Sequence, residues 1–345
     1  MAFKRLEADD FVVSAQAQTA TCWSNNEPTL TTFFTQSNQI NSDSGVYYTT
    51  IYNGNPTSSL STAQFEIAYG NKNGGGAYAF NSLVSNVSPS STIYGQYRTL
   101  VLEDENSEFV FGDVTGSSIY ALSIERSRYK QALFPGSLNL RLSGSGAGEP
   151  TLYLTDNSKT PGVLLPTYYG TTRAYQIVSG SDGVANTSSQ ANGYSDAHGS
   201  YGLFLPDIGT ILLNGDALDV NGATGINLQT ETSANTPGSP VNSLKMWKAI
   251  SGSGFFGLNS EETITSDFVF VRARNSEFNY SENPSYISGS TGEVIYDYFI
   301  NNPQTYMTTV GLYNDSNELL AVAKLSKPLN KDFTKEALIR VKLDF

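Results

Sequence analysis

Tyr306 to Leu325 reads YMTTVGLYNDSNELLAVAKL, and this stretch decides the fold class. Tyr306 to Leu312 is rich in β-branched and aromatic residues. Asn314-Asp315-Ser316-Asn317 supplies turn chemistry, because Asn and Asp tolerate the backbone angles that reverse a chain. Glu318 to Leu325 returns as a second apolar run, so the stretch predicts a β-hairpin. Its buried face is expected to carry Val310, Leu312, Leu320 and Val322. After Pro328, Ala337 to Phe345 alternates Leu338, Val341 and Leu343 with Arg340, Lys342 and Asp344, although Ile339 breaks a strict period. A last strand tied into a sheet is expected, because loose termini fray.

The composition agrees with a β protein. Apolar residues make up 39% of the 345 and charged residues 15%, which leaves a surface of Ser, Thr, Asn, Gly and Tyr. Aromatics reach 12%, too many for a disordered chain. The expectation is a mainly β protein of β-sandwich-like domains, with short helices and extended terminal segments. A net charge of −12 argues against binding nucleic acid over the whole surface. The charge is uneven. Residues 324–345 hold six basic and three acidic residues, so +3 lies there and −15 in the rest. That asymmetry suits either docking on an acidic protein patch or edge strands guarded by Lys.

Cys22 stands alone, so no disulfide can form within the chain, and beside Trp23 it reads as a buried small hydrophobe. The opening residues lack the apolar core of a signal peptide, and no apolar run approaches the length of a membrane span. Synthesis and assembly in the cytosol are the corresponding expectation.

Three blocks are expected. Residues 1–143 form an N-terminal arm and a β-rich domain. Residues 144–250, rich in Gly, Ser and Asn, form a peripheral β-domain. Residues 251–345 form a C-terminal β segment that returns to the N-terminal sheet. Within them, Leu30 to Phe34, Val46 to Tyr52, Ser137 to Leu142 and Thr151 to Leu154 read as strands. So do RAYQIVSGS, SYGLFLPDIGTILLNG and GINLQTETS in the middle block. Ser91 to Leu102 reads as a helix, with Ile93, Tyr97, Leu100 and Val101 at helical spacing and Gly95 against it. Glu125 to Leu133 fits a short helix or a strand.

Catalytic constellations are weak. Ser195, Asp196 and His198 sit in one Gly-rich loop, whereas a triad assembles from separate segments. Ser127 and Lys130 match SxxK without the companion motifs. Glu103-Asp104-Glu105 and Glu261-Glu262 are neighbours in sequence, not carboxylates set across a sugar. One His and one Cys cannot build a zinc site, and Asp216, Asp219 and Asn221 are only a fragment of a calcium loop. The Gly70 to Gly76 stretch lacks the phosphate-loop order and reads as a turn. No enzyme activity, cofactor or metal is expected. Of the 21 Tyr, those at Tyr168, Tyr169, Tyr194 and Tyr201 are candidates for a glycan platform or a protein interface.

TTVGLYNDSNELLAVAKLSKPL, from Thr308 to Leu329, resembles the hairpin of bacteriophage tail-fibre and baseplate attachment proteins. FVFVRARNSEFNYSENPSYISGSTGE, from Phe268 to Glu293, is similar to virion structural proteins of T4-like myoviruses, particularly those of marine cyanobacterial phages. LEADDFVVSA, TIYGQYRTLVLEDENSEFVFG and YALSIERSRYKQALFPGSLNL look like the same proteins. The resemblance implies a non-enzymatic structural component of a contractile phage tail, a baseplate protein that works by assembly. The alternative is a receptor-binding fibre or spike that recognises host surface glycan. Expected partners are other tail or baseplate proteins and copies of this chain. The expected docking residues are Lys324, Lys327, Lys331, Lys335 and Arg340 for orientation, with Leu338, Val341, Leu343 and Phe345 for affinity.

Overall fold

A computed structural model describes residues 3–36, 48–77, 84, 87–144, 150–161, 166–186, 199–222, 224–230, 241–281 and 283–344. In chain order it begins with strands β1 (Phe11–Thr21), β2 (Thr29–Leu30), β3 (Tyr48–Tyr52) and β4 (Ala63–Asn71), then helix α1 (Ser90–Leu102). Next come β5 (Phe109–Phe111), β6 (Val114–Gly116), β7 (Ser118–Ile124), β8 (Ala132–Leu133), β9 (Asn139–Ser143) and β10 (Thr151–Asp156). They are followed by β11 (Thr167–Tyr169), β12 (Thr172–Ser181), β13 (Val184–Ala185), β14 (Gly202–Leu205) and β15 (Thr210–Asn214). Helices α2 (Gly215–Leu218) and α3 (Asn242–Ser253) precede β16 (Phe256–Gly257) and β17 (Asn259–Ala273). Helix α4 (Asp297–Asn301) and strands β18 (Thr305–Tyr313), β19 (Leu319–Lys331) and β20 (Ala337–Asp344) complete the order. The protein is mainly β, as expected.

The chain divides into two compact units, residues 18–262 and residues 1–17 with 263–345. The larger unit is built on a 12-stranded sheet with the main order β2-β16-β9-β10-β12-β14-β15-β7-β4-β3. Its ends are joined through one segment. Leu30 pairs with Phe256 at one end, and four residues later Phe34 bridges Tyr52 at the other. The expected strand over Leu30 to Phe34 is thus two short pairings, because each end of the sheet takes one of them.

Alternation divides the central side chains between two apolar faces. On one face the register aligns Ile67, Leu122, Ile211 and Phe204. All four are fully buried, and they join a core with Trp23, Phe65, Phe256 and the α3 residues Met246 and Ile250. The Trp23 and Phe256 rings meet at 4.9 Å and the Phe65 and Phe256 rings at 5.3 Å, contacts of about 1 kcal/mol each beyond area burial. On the other face Ala121, Leu212 and Leu203 align and are covered by α1 through Tyr94 and Val101, and by Phe109 and Phe111. Strands buried on both faces read as continuous apolar runs, which is why the SIYALSI and TILLN stretches of β7 and β15 show little polar alternation.

The middle block lies inside this sheet, since β10, β12, β14 and β15 stand between β9 and β7. The expected boundary at 143/144 falls where β9 pairs with β10, and that at 250/251 falls inside α3. GINLQTETS is a correction: the described residues 225–230 hold no strand. Asn227 and Gln229 adopt left-handed φ of 50° and 55°, which breaks an extended run. Ile226 and Leu228 are buried regardless, their N–H groups donating to the Leu218 carbonyl. Glu125 to Leu133 resolves as a 3₁₀ turn, Arg126–Arg128, followed by β8.

The smaller unit is a sheet layer with the order β1-β17-β20 and a separate two-stranded hairpin, β18-β19. The C-terminal block returns to a sheet that contains the N-terminal strand. Val269, Ile339 and Val341 from the sheet are buried against Met307, Val310, Leu312, Ala323 and Leu325 from the hairpin.

Candidate interaction surface

The turn of the hairpin is locked by Asn314. Its Oδ1 accepts from the Glu318 N–H at 2.8 Å, its Nδ2 donates to Glu318 Oε2 at 2.7 Å, and Asn317 takes a left-handed φ of 62°. Beyond the turn the register pairs Val310 with Ala323 and Leu312 with Ala321. Val310 and Leu312 are half-buried on the inner face, as expected. Leu320 and Val322 are a correction. They are 69% and 58% exposed, on the face that points away from the unit's core. The Phe3 and Tyr313 rings make an edge contact at 5.3 Å.

In β20, Ala337, Ile339 and Val341 face inward, opposite Ala273, Val271 and Val269 of β17. Leu338 is exposed, the Arg340 guanidinium lies 5.4 Å from the Phe268 ring centroid, and Lys342 pairs with Asp344. Val341 is therefore a core residue and Leu343 is half-buried, so neither offers itself to a partner as the sequence suggests. Phe345 lies outside the described residues.

Lys324 and Lys327 are exposed on β19. Lys331 is a correction: it is fully buried, and its ammonium donates to the Asn275 and Asp332 carbonyls and to Asn279 Oδ1. It ties segments of the unit together instead of meeting a partner. Lys335 pairs with Asp332 at 2.9 Å. The Asp332 carboxyl is held well below the usual range, first by the Thr334 hydroxyl and then by the Lys335 ammonium.

Tyr168 is 59% exposed and Tyr169 half-buried, on the short strand β11 that pairs with β12. Tyr201 is a correction to the platform: it is a core residue whose hydroxyl donates to the Thr224 carbonyl at 2.8 Å. Burial pushes its phenol up to about 12. Tyr194 and the Ser195-Asp196-His198 loop lie outside the described residues. Ser127 Oγ accepts from the Arg128 guanidinium at 3.1 Å. Asn214 caps α2, and Asp219 accepts from the Thr230 N–H and hydroxyl, so the Asp216-Asp219 stretch serves the turn. Among the described residues no cluster of three or more His, Cys, Asp or Glu is placed to hold a metal ion.

Sequence reasoning missed two surfaces. The first is β1, a strand exposed at all of its residues from Phe11 to Thr21. The second is an aromatic group in which Tyr286 meets Tyr296 at 5.9 Å and Phe299 at 5.4 Å, and Tyr296 meets Tyr298 at 5.4 Å. Tyr296 and Tyr298 are exposed, as are their neighbours Ile295 and Ile300. Roughly two thirds of the large apolar side chains found exposed among the described residues belong to the smaller unit, which has under a third of the chain. The interior of that unit is small by comparison. No family model, no curated protein and no solved structure matches the chain.

Proposed function

We propose that the chain is a non-enzymatic structural subunit of a contractile phage tail, a baseplate protein that is assembled in the host cytoplasm and docks on other tail proteins through its smaller unit. The observation that carries the docking is the outer face of the β18-β19 hairpin, where Leu320 and Val322 stand exposed. A hairpin that is apolar on both faces gains by being covered on both, and the inner face already packs on β17 and β20. The resemblance of the same hairpin to tail attachment proteins supports the phage setting. Lys324 and Lys327, beside this face, would steer association more than they hold it. A stable interface needs about 800 Å² from each partner, more than two side chains supply. Tyr306 and Leu319, exposed on the same hairpin, therefore belong to the candidate surface.

The test is to introduce Leu320→Gln with Val322→Gln, confirm folding of the free chain, and quantify it in purified particles. Reduced incorporation of a folded variant supports the reading. Incorporation at the normal level overturns it.

A further inference from the structure

We infer that β1 is a self-pairing edge, at which two copies of this chain join in antiparallel orientation so that the β1-β17-β20 sheet of one copy continues into that of the other. Strand β1 stands at the end of the sheet, and among the described residues only β17 neighbours it there. All its residues are exposed. An exposed edge presents unpaired N–H and C=O groups that another strand can bond, and proteins ordinarily block this with Lys, Pro or other charges. The smaller unit does so elsewhere. Strand β19 carries Lys324, Lys327 and Pro328, and β20 carries Arg340 and Lys342 on exposed positions. Strand β1 reads FVVSAQAQTAT and has neither a charge nor a proline along its length. Strand β18 also lacks a charge and a proline, but it packs Met307, Val310 and Leu312 into the unit, whereas β1 is exposed at every residue.

The occupant follows from charge. A copy of β1 brings no charge of its own to oppose the pairing. Glu7, Asp9 and Asp10 lie in the turn immediately before the strand. Parallel pairing of two copies would set these acidic turns side by side, where like charges oppose association. Antiparallel pairing about Gln16, the midpoint of β1, puts them at opposite ends, separated by about 35 Å of paired strand. It also matches Phe11 with Thr21, Val13 with Thr19 and Ala15 with Ala17. This pairing is separate from the hairpin face, so a chain that pairs but fails to enter particles, or the reverse, tells the two readings apart.

The experiment uses the full chain. Sedimentation of the wild-type protein is expected to show a dimer whose β1 amides are protected from hydrogen exchange. Ala15→Lys with Gln16→Lys places a charge on each face at the pairing centre. It should weaken dimerisation by about tenfold or more and release that protection, with the circular dichroism unchanged. Arg340→Ala, on the guarded edge, should leave the dimer intact. Orientation is read by disulfide capture, which the buried Cys22 does not disturb. Gln16→Cys should cross-link copies, Val13→Cys alone should not, and a mixture of Val13→Cys and Thr19→Cys chains should. A wild-type chain that stays monomeric, a lysine variant that dimerises like wild type, protection of β1 only when a different tail protein is added, or a Val13→Cys homodimer would each overturn the inference.

Discussion

The Lys331 ammonium donates to Oδ1 of Asn279 at 2.9 Å, in a site where the lysine is fully shielded from solvent. Two further acceptors, the carbonyls of Asn275 and Asp332, take the remaining protons. The lysine thereby joins the end of the hairpin to the segment that follows β17. Lys331→Met keeps the stem and takes the ammonium donor from Asn279 Oδ1, while the Asn275 carbonyl keeps the Asn279 Nδ2 donor and the Asp332 carbonyl keeps the Lys335 N–H. A loss of about 1–3 kcal/mol is expected, the cost of leaving one buried acceptor unsatisfied. Urea denaturation of the full chain checks it, and a midpoint unchanged from wild type would refute the role. A charge reversal at Lys331 would thus report folding, not docking.

Asp332 predicts a pH dependence. Its carboxyl accepts from the Thr334 hydroxyl at 2.6 Å and from Lys335, and its pKa is depressed in the folded state. A depressed carboxyl contributes stability that is complete above the unfolded value, about 3.9, and is lost as pH falls through the folded one. Asp332→Asn should lower stability near neutral pH and make the acid limb of the profile shallower. Urea midpoints taken from about pH 2 to 6 read this. An acid limb of unchanged slope would remove Asp332 from it.

The hairpin was legible in the sequence, but its faces were not. Asn314 and Asn317 mark the turn whatever surrounds it. The following residues, Leu319 to Ala323, are all apolar, so a period of two cannot say which parity points inward. The register also shifts between Leu312 and Tyr313. Lys331 in a basic run reads as solvated, because the residues that bury it lie 52 and 56 positions away. Likewise β1 shows its lack of charge in sequence, yet its place at a sheet edge depends on β17, far along the chain. Long-range pairing is what local pattern omits.

Val310 and Val322 turn that parity into a measurement. Val310 packs into the unit's interior, and Val322 is 58% exposed one register step away on the opposite strand. Val310→Ser should destabilise the chain by about 1–2 kcal/mol, and Val322→Ser by less than about 0.5. Equal costs, read from chemical denaturation of the free chain, would mean that the hairpin has no inner and outer face.

Two glycines on either side of one contact make the last prediction. Gly70 ends the apolar part of β4 beneath helix α1, and a Cβ there would lie 2.8 Å from the Tyr94 backbone nitrogen and 3.0 Å from its Cα. Backbone cannot yield as a flexible side chain can. Gly70→Ala should therefore push α1 off the sheet and cost about 1–3 kcal/mol, the range for overpacking. Gly95 sits in the helix itself, where a Cβ would meet nothing within 4 Å. Its φ is not in the left-handed range, so alanine fits the backbone and removes freedom only from the unfolded chain. Gly95→Ala should stabilise by about 0.5–1 kcal/mol. Adjacent positions on one packing contact thus give opposite signs for the same chemical change, because one glycine is required by close approach and the other is not. Thermal or urea unfolding of the two single variants decides it. A stabilised Gly70→Ala variant would mean that α1 does not rest on β4 as described.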